Sequence, residues 1–151
     1  MAKKIVITGG IGYIGTELCK IYSGTSWNDK ILVIDNKFAS ERVNQLRSWG
    51  IDFIHGDILD KDLVNKYCKD ANIVHHLAGI TDVPRLKSEA NEDKDKRIKL
   101  VAEEGTQNIL DAISDKCKII FPSTHVVYEG IEKVKNDILE DENTKPILSY
   151  A

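Results

Sequence analysis

The chain has 151 residues, 42% of them apolar and 30% charged, with a formal net charge of −3. This is enough chain for one domain with its own core and an ordinary globular composition. The small negative charge excludes a basic field for nucleic acid or an anionic membrane, and no apolar run approaches the roughly 20 residues of a membrane helix.

In chain order, Met1-Ala2-Lys3-Lys4 leads straight into a short apolar run, without the longer apolar stretch and cleavage site of a signal peptide, so a cytoplasmic location is expected. Lys4–Thr8 reads as a strand, followed by a helical pattern over about 13–24. Ile31–Ile34 is the second strand and 40–49 the second helix, with Ser40 placed to cap it and Gly50 to end it. Asp52–His55 is a third strand, then a helix over 60–69 capped by Asp60. Ile73–Leu77, a long helix over 95–115 and the strand Lys118–Phe121 complete the series. Near-continuous apolar strands alternating with helices predict an α/β fold, a doubly wound parallel sheet covered on both faces.

Two stretches lack this rhythm. Ser88–Arg97 is a mixed-charge run, read as a solvated loop and the exposed first turns of the long helix. Gly130–Lys145 is polar and acidic and is expected to loop over the surface near the site. Cys19, Cys68 and Cys117 are odd in number, far apart and in no metal-ligand spacing, so they are expected to be small core or surface residues without a disulfide framework. His75 and His76 are neighbours on a strand and face opposite sides, which argues against one shared metal ion.

The turn after the first strand carries the chemistry. In Thr8-Gly9-Gly10-Ile11-Gly12-Tyr13-Ile14-Gly15, the glycines at 10, 12 and 15 have G-x-G-x-x-G spacing between a strand and a helix. Such a turn lets backbone approach a pyrophosphate, which the helix N-terminus attracts with free N–H groups. Asp35 closes the second strand twenty residues after Gly15, where a carboxylate accepts both ribose hydroxyls and repels a 2′-phosphate. NAD is therefore expected over NADP, with Lys37 leaving NADP as the alternative.

With these residues in view, the chain resembles the extended short-chain dehydrogenase/reductase family, the NAD-dependent nucleotide-sugar epimerases and dehydratases. The resemblance covers the whole chain. Its opening motif, T-G-G-x-G-Y-I-G, matches at every specified position, with Gly9, Gly12 and Gly15 as the nominal triad and Tyr13 and Ile14 giving backbone to the pyrophosphate. Gly56-Asp57-Ile58 resembles the element whose Asp meets the adenine amino group and whose next N–H meets a ring nitrogen. His76-Leu77-Ala78-Gly79 resembles the H-x-A-A/G element along the cofactor ribose and pyrophosphate. Gly105-Thr106-Gln107-Asn108 resembles G-T-x-N, but Ala102 stands where the family usually has a supporting Asn.

Phe121–Tyr128 resembles the S-S/T-x-x-V-Y element, which makes Thr124 the hydroxyl that bonds the reacting oxygen and Ser123 its neighbour. Pro146-Ile-Leu-Ser-Tyr150-Ala151 resembles the start of P-x-S-x-Y-x-x-S-K, with Tyr150 as the catalytic tyrosine. A free phenol near pKa 10 is a poor base, and the lysine that activates it belongs at position 154, past Ala151. The chain is thus expected to be a fragment: residues 1–151 as an NAD-binding Rossmann domain, with the substrate-binding part outside it and the catalytic set incomplete.

Spacing and resemblance together imply cofactor contacts from Gly9, Gly10, Gly12, Tyr13, Ile14, Gly15, Asp35, Asn36, Asp57, Ile58, Leu77, Ala78, Gly79, Ser123 and Tyr150. Thr81 and Thr124 are assigned to the substrate, Thr124 and Tyr150 to catalysis, and no metal is implied. The leading expectation is a nucleotide-sugar epimerase working by transient hydride transfer to NAD, a homodimer when full length. His125-Val126 replaces the Asp-Glu pair that follows the catalytic Thr in the dehydratases, which disfavours dehydration. Reductase, dehydrogenase or decarboxylase chemistry of the same family, and a non-catalytic dinucleotide sensor, remain as alternatives.

Overall fold

The computed structural model describes residues 2–25, 28–81, 92–131 and 137–147. Five strands, β1 (Lys4–Thr8), β2 (Lys30–Asp35), β3 (Asp52–His55), β4 (Ile73–His76) and β5 (Lys118–Ile120), alternate with four helices. These are α1 (Tyr13–Ser23), α2 (Ser40–Ser48), α3 (Lys61–Cys68) and α4 (Glu92–Ala112). All strand pairs are parallel, in the order β3-β2-β1-β4-β5. This is the Rossmann-type doubly wound sheet, and the strand order reverses between β1 and β4, where such sheets open a crevice at their carboxyl ends.

The apolar strands follow from cover on both faces. Ile5, Ile7, Ile31 and Val33 point to one side and pack with Ile11, Cys19 and Leu46 from the α1/α2 layer. Val6, Leu32, Ile34 and Val74 point to the other and pack with Val64, Cys68, Val101 and Ile109 of α3 and α4. Alternate residues of one strand therefore feed two cores, which makes both faces of the inner strands predominantly apolar. Burial pushes the Cys19 thiol up to about 12 and the Cys68 thiol to about 11, so both are inert core residues.

Helix ends follow local chemistry with two departures. Asp60 caps α3 by accepting from the Leu63 N–H at 3.0 Å. Gly50, at φ +72°, ends α2 in a left-handed turn closed by Ile51 N–H to Leu46 O and Gly50 N–H to Arg47 O, both 3.0 Å. Ser40 does not cap α2: Ala39 occupies the cap position, and no side chain caps there. Phe38, stacked edge-on against Phe53 and His55, sets where the chain enters the helix and leaves Ser40 already inside it. Helix α4 starts at Glu92 and ends at Ala112, three residues before the expected span at both ends, with Glu92, Asp93 and Asp95 favourably placed in its first turn. Residues 88–91 of the mixed-charge run lie outside the described residues.

Candidate functional site

The crevice is built from the carboxyl ends of β1, β2, β4 and β5. At β1, Gly9 has φ +70°, and a β-carbon there would lie 2.8 Å from the Leu77 carbonyl and the Ala78 nitrogen. Gly9 is thus glycine for both conformation and close approach. Gly15 lets α1 settle on the turn, since a β-carbon would come within 2.6 Å of Gly9 O and Gly10 Cα. Gly10 makes room for Val33, whose Cγ1 would be 2.5 Å from an added β-carbon. Gly12 differs. Its φ is −66°, so no strain holds it to glycine, and the nearest neighbour of an added β-carbon is Gly9 O at 3.1 Å.

Gly12 is also the N-cap of α1, and no side chain caps the helix there. The first N–H groups of a helix have no partner within it, so those after Gly12 point into the crevice with the positive end of the helix dipole. The side chains of Tyr13 and Ile14 are 82% and 62% exposed and stand out into solvent.

Asp35 ends β2 and is only 8% exposed. Its Oδ2 accepts from the Ile11 N–H at 3.2 Å and its Oδ1 from the Lys37 N–H at 2.9 Å. Each oxygen keeps a lone pair for a further donor, such as a ribose hydroxyl. The Asp57 carboxylate accepts from Asn36 Nδ2 at 3.1 Å and from the Leu59 N–H at 3.0 Å. The next turn is held from α4: Asn108 Nδ2 donates to the carbonyls of Ile58 and Leu59 at 3.1 and 3.4 Å, and a β-carbon on Gly105 would drive into Ile58 Cδ1. The G-T-x-N element thus braces the loop that carries Asp57.

The last wall comes from β4 and β5. Leu77 N–H donates to Thr8 O at 3.1 Å and Ala78 N–H to Thr8 Oγ1 at 3.2 Å, locking the β4 exit onto β1. His75 and His76 point to opposite faces: His75 Nε2 meets Tyr22 OH at 2.8 Å on the α1 side, and His76 Nε2 meets Thr106 Oγ1 at 3.0 Å on the α4 side. Burial holds both imidazoles below their ordinary range, with Lys118 adding to the effect on His75. Among the described residues, no group of three or more His, Cys, Asp or Glu gathers for a metal, and no helix is long and apolar enough to cross a membrane.

Beyond β5, Thr124 caps a short 3-10 turn, His125–Tyr128, and its Oγ1 accepts from the Val126 N–H at 3.3 Å. That bond uses a lone pair and leaves the hydroxyl proton free to donate. The acidic segment returns here, with Lys145 N–H donating to Val127 O and Gly130 N–H to Lys145 O, both 2.9 Å. Ser123, Gly79 and Thr81 are exposed at the rim. Tyr150 lies outside the described residues. Two contacts had no local sequence signal. The Arg42 guanidinium, on α2, donates to the Ile11 carbonyl and to Thr16 Oγ1, and Arg97 Nη2 sits 3.8 Å from Asp57 Oδ2.

With this crevice in place, the pattern of the 3-beta hydroxysteroid dehydrogenase/isomerase family matches residues 6–149. The chain belongs to that family, within the extended short-chain dehydrogenases/reductases. Among its curated relatives, CDP-paratose 2-epimerase of Salmonella typhi is 34% identical over 93% of this chain and 42% of its own length. dTDP-D-glucose 4,6-dehydratase of Dictyostelium discoideum is 31% identical over 97% of this chain and 36% of its own. The chain therefore spans less than half the length of these relatives. UDP-glucose 4-epimerase of Brucella ovis, solved in complex with NAD, superposes with a TM-score of 0.76 at 29% identity, over 99% of this chain and 43% of that one. UDP-N-acetylglucosamine 4-epimerase of Methanobrevibacter ruminantium M1, solved with UDP-N-acetylmuramic acid, gives 0.78 at 28% identity, over 99% and 46%.

Within this family fold, the glycines of one turn separate into two kinds. Gly12→Val is expected to leave the sheet folded and remove dinucleotide binding, because its side chain enters the cradle from a backbone conformation that any residue adopts. Gly9→Ala is expected to destabilise the fold itself by about 1–3 kcal/mol, because the β-carbon meets backbone and φ is positive. Calorimetric titration and thermal melts of the two variants check this. Tight binding by a folded Gly12→Val protein would show that the pyrophosphate does not lie on this turn.

Proposed function

We propose that this chain is the dinucleotide-binding half of an NAD-dependent nucleotide-sugar epimerase. The observation that carries the reading is the Asp35 carboxylate, fixed by two backbone N–H groups beside an uncapped helix N-terminus. That pairing fits adenosine ribose and pyrophosphate together, and the backbone contact from Ile11 makes the glycine turn and the ribose carboxylate one rigid unit. The family's nucleotide-sugar relatives support the substrate class.

The residues divide the work along the crevice. Asp35 receives the ribose hydroxyls, Asp57 the adenine amino group and the N–H groups after Gly12 the pyrophosphate. Leu77, Ala78 and Gly79 line the ribose path toward the nicotinamide end, where Ser123 and Thr124 stand. The chemistry NAD supplies when bound is uptake of a hydride from a sugar carbon, whose return to the opposite face inverts that carbon with no net redox change. Tyr150, as phenolate, removes the hydroxyl proton as the carbonyl forms and returns it afterwards. Thr124 donates its free hydroxyl proton to the reacting oxygen, an interaction worth a few kcal/mol in a dry site. Thr81, at the rim, faces the sugar. We further propose that the whole protein is a homodimer whose sugar-binding part corresponds to the portion of the relatives that this chain does not span.

His125 and Val126 follow Thr124 with no carboxyl pair to remove water, so epimerisation is favoured over dehydration. Incubating the whole protein with NAD and CDP-, dTDP- and UDP-sugars, with products resolved by chromatography, tests this; net NADH accumulation with an oxidised or decarboxylated product would replace epimerase by dehydrogenase or decarboxylase. In the same protein NAD should bind at least about tenfold tighter than NADP, since Asp35 repels a 2′-phosphate, and Asp35→Ala should narrow the gap. Equal or tighter binding of NADP removes the role given to Asp35.

A further inference from the structure

Three walls of the crevice meet at one buried side chain. His76, 1% exposed at the end of β4, has Nδ1 2.8 Å from Thr8 Oγ1 on β1 and Nε2 3.0 Å from Thr106 Oγ1 on α4. The Phe121 ring, which opens the loop to Ser123 and Thr124, lies tilted over it at 5.5 Å. Thr8 Oγ1 already accepts the Ala78 N–H. Its proton and its second lone pair both remain, so it either gives the proton to His76 Nδ1 or accepts one from it. In the first arrangement the imidazole carries its single proton on Nε2, facing Thr106, and the bonds run in one direction, Ala78 N–H to Thr8, Thr8 O–H to His76, His76 N–H to Thr106.

We propose that His76, as the Nε2–H tautomer, is a positioning residue that sets the width of the dinucleotide crevice by turning the Thr8 hydroxyl to hold the Ala78 peptide against Gly9. With its proton held at Nδ1, the Thr8 hydroxyl is fixed with a lone pair toward Ala78. The clamped peptide is the one a β-carbon on Gly9 would strike, so a shift of a few tenths of an ångström moves the glycine turn and the Ala78–Thr81 wall relative to each other. The adenosine end stands apart from this series, on Asp35 and Asp57 at the ends of β2 and β3. His76 therefore governs the far half of the dinucleotide and not the near half.

The inference rests on the dinucleotide reading above, and the test separates the two. The side chain of His76→Asn keeps a polar atom near Nδ1 and can hold the Thr8 hydroxyl; that of His76→Gln reaches toward Nε2 and holds Thr106 instead. In the whole protein, NAD affinity should stay within about threefold of the parent in His76→Asn and fall about tenfold in His76→Gln, the scale of one well-placed hydrogen bond. AMP affinity should change little in either. Thr8→Val should reproduce the NAD loss and Thr8→Ser should restore binding, which carries the test if a His76 variant does not fold. Parallel losses of NAD and AMP affinity, or losses that simply track melting temperature, overturn the inference and leave His76 a structural residue. A parent protein that binds neither ligand overturns the dinucleotide reading, and the positioning role with it.

Discussion

Replacing Tyr150 with phenylalanine in the whole protein is expected to lower kcat by about three orders of magnitude, within the range for loss of a positioned acid–base group. Cofactor affinity should remain close to that of the parent, because on the proposed reading Asp35, Asp57 and the glycine turn hold the adenosine half by themselves. The size of the effect follows from the proton inventory. A sugar hydroxyl must lose its proton as the carbonyl forms, and a phenol near pKa 10 does this at neutral pH only with a cation beside it. On the proposed reading that cation is a lysine one helical turn later, expected at position 154. Steady-state kinetics and a cofactor titration of the same preparation check both halves of the expectation. Near-parent turnover in Tyr150→Phe would end the proton-transfer role, and a different residue at 154 would favour a non-catalytic dinucleotide sensor.

Acid should unfold the protein through His76. The folded imidazole is held down to about 4 by burial, against an ordinary value of 6.5. The unfolded chain therefore binds a proton near pH 6.5 that the folded protein refuses until about pH 4. Stability is complete above pH 6.5 and is lost as pH falls toward 4, at up to about 1.4 kcal/mol per pH unit and about 3 kcal/mol in all. His75, depressed in the same direction by burial and Lys118, adds to the loss. Urea unfolding midpoints measured from pH 7.5 to 4.5 report this directly. His76→Asn should be less stable at pH 7.5 and show a shallower fall; a variant with the parent's full slope would place the titration on other groups.

The order of strands and helices was legible because both faces of each inner strand are covered. Ile5, Ile7, Ile31 and Val33 must be apolar for the α1/α2 layer, and Val6, Leu32, Ile34 and Val74 for the α3/α4 layer, so the strands read as unbroken apolar runs. Helix ends were legible where a single residue does the work, as Asp60 and Gly50 do. Ser40 misled because the entry to α2 is set by Phe38 resting on Phe53 and His55, two residues of another strand. The glycine spacing and Asp35 were likewise visible in line. Which glycine is held by backbone strain was not: it is Gly9 at φ +70°, while Gly12 at −66° is unstrained, with Gly9 O 3.1 Å from where its β-carbon would be.

The polar contacts of the crevice have no such local record. Thr8 and His76 are 68 residues apart, Asn108 and Ile58 50 apart, Arg42 and Ile11 31 apart. Hydrophobic period states which face of an element is buried, but a lone Thr, His or Arg carries no mark of the group it will meet. Those partners were fixed when packing placed β1 between β2 and β4, with Thr8 level with His76 in the register. The linear chain thus carried the alternation of strands and helices, together with the glycine turn and Asp35, whose relation is a matter of spacing within some twenty-five residues. Folding added the Asn108 brace under Asp57, the Arg42 tie on the turn and the contacts of His76 with Thr8 and Thr106, because a buried polar group needs its partner in space and its neighbours in sequence do not supply it.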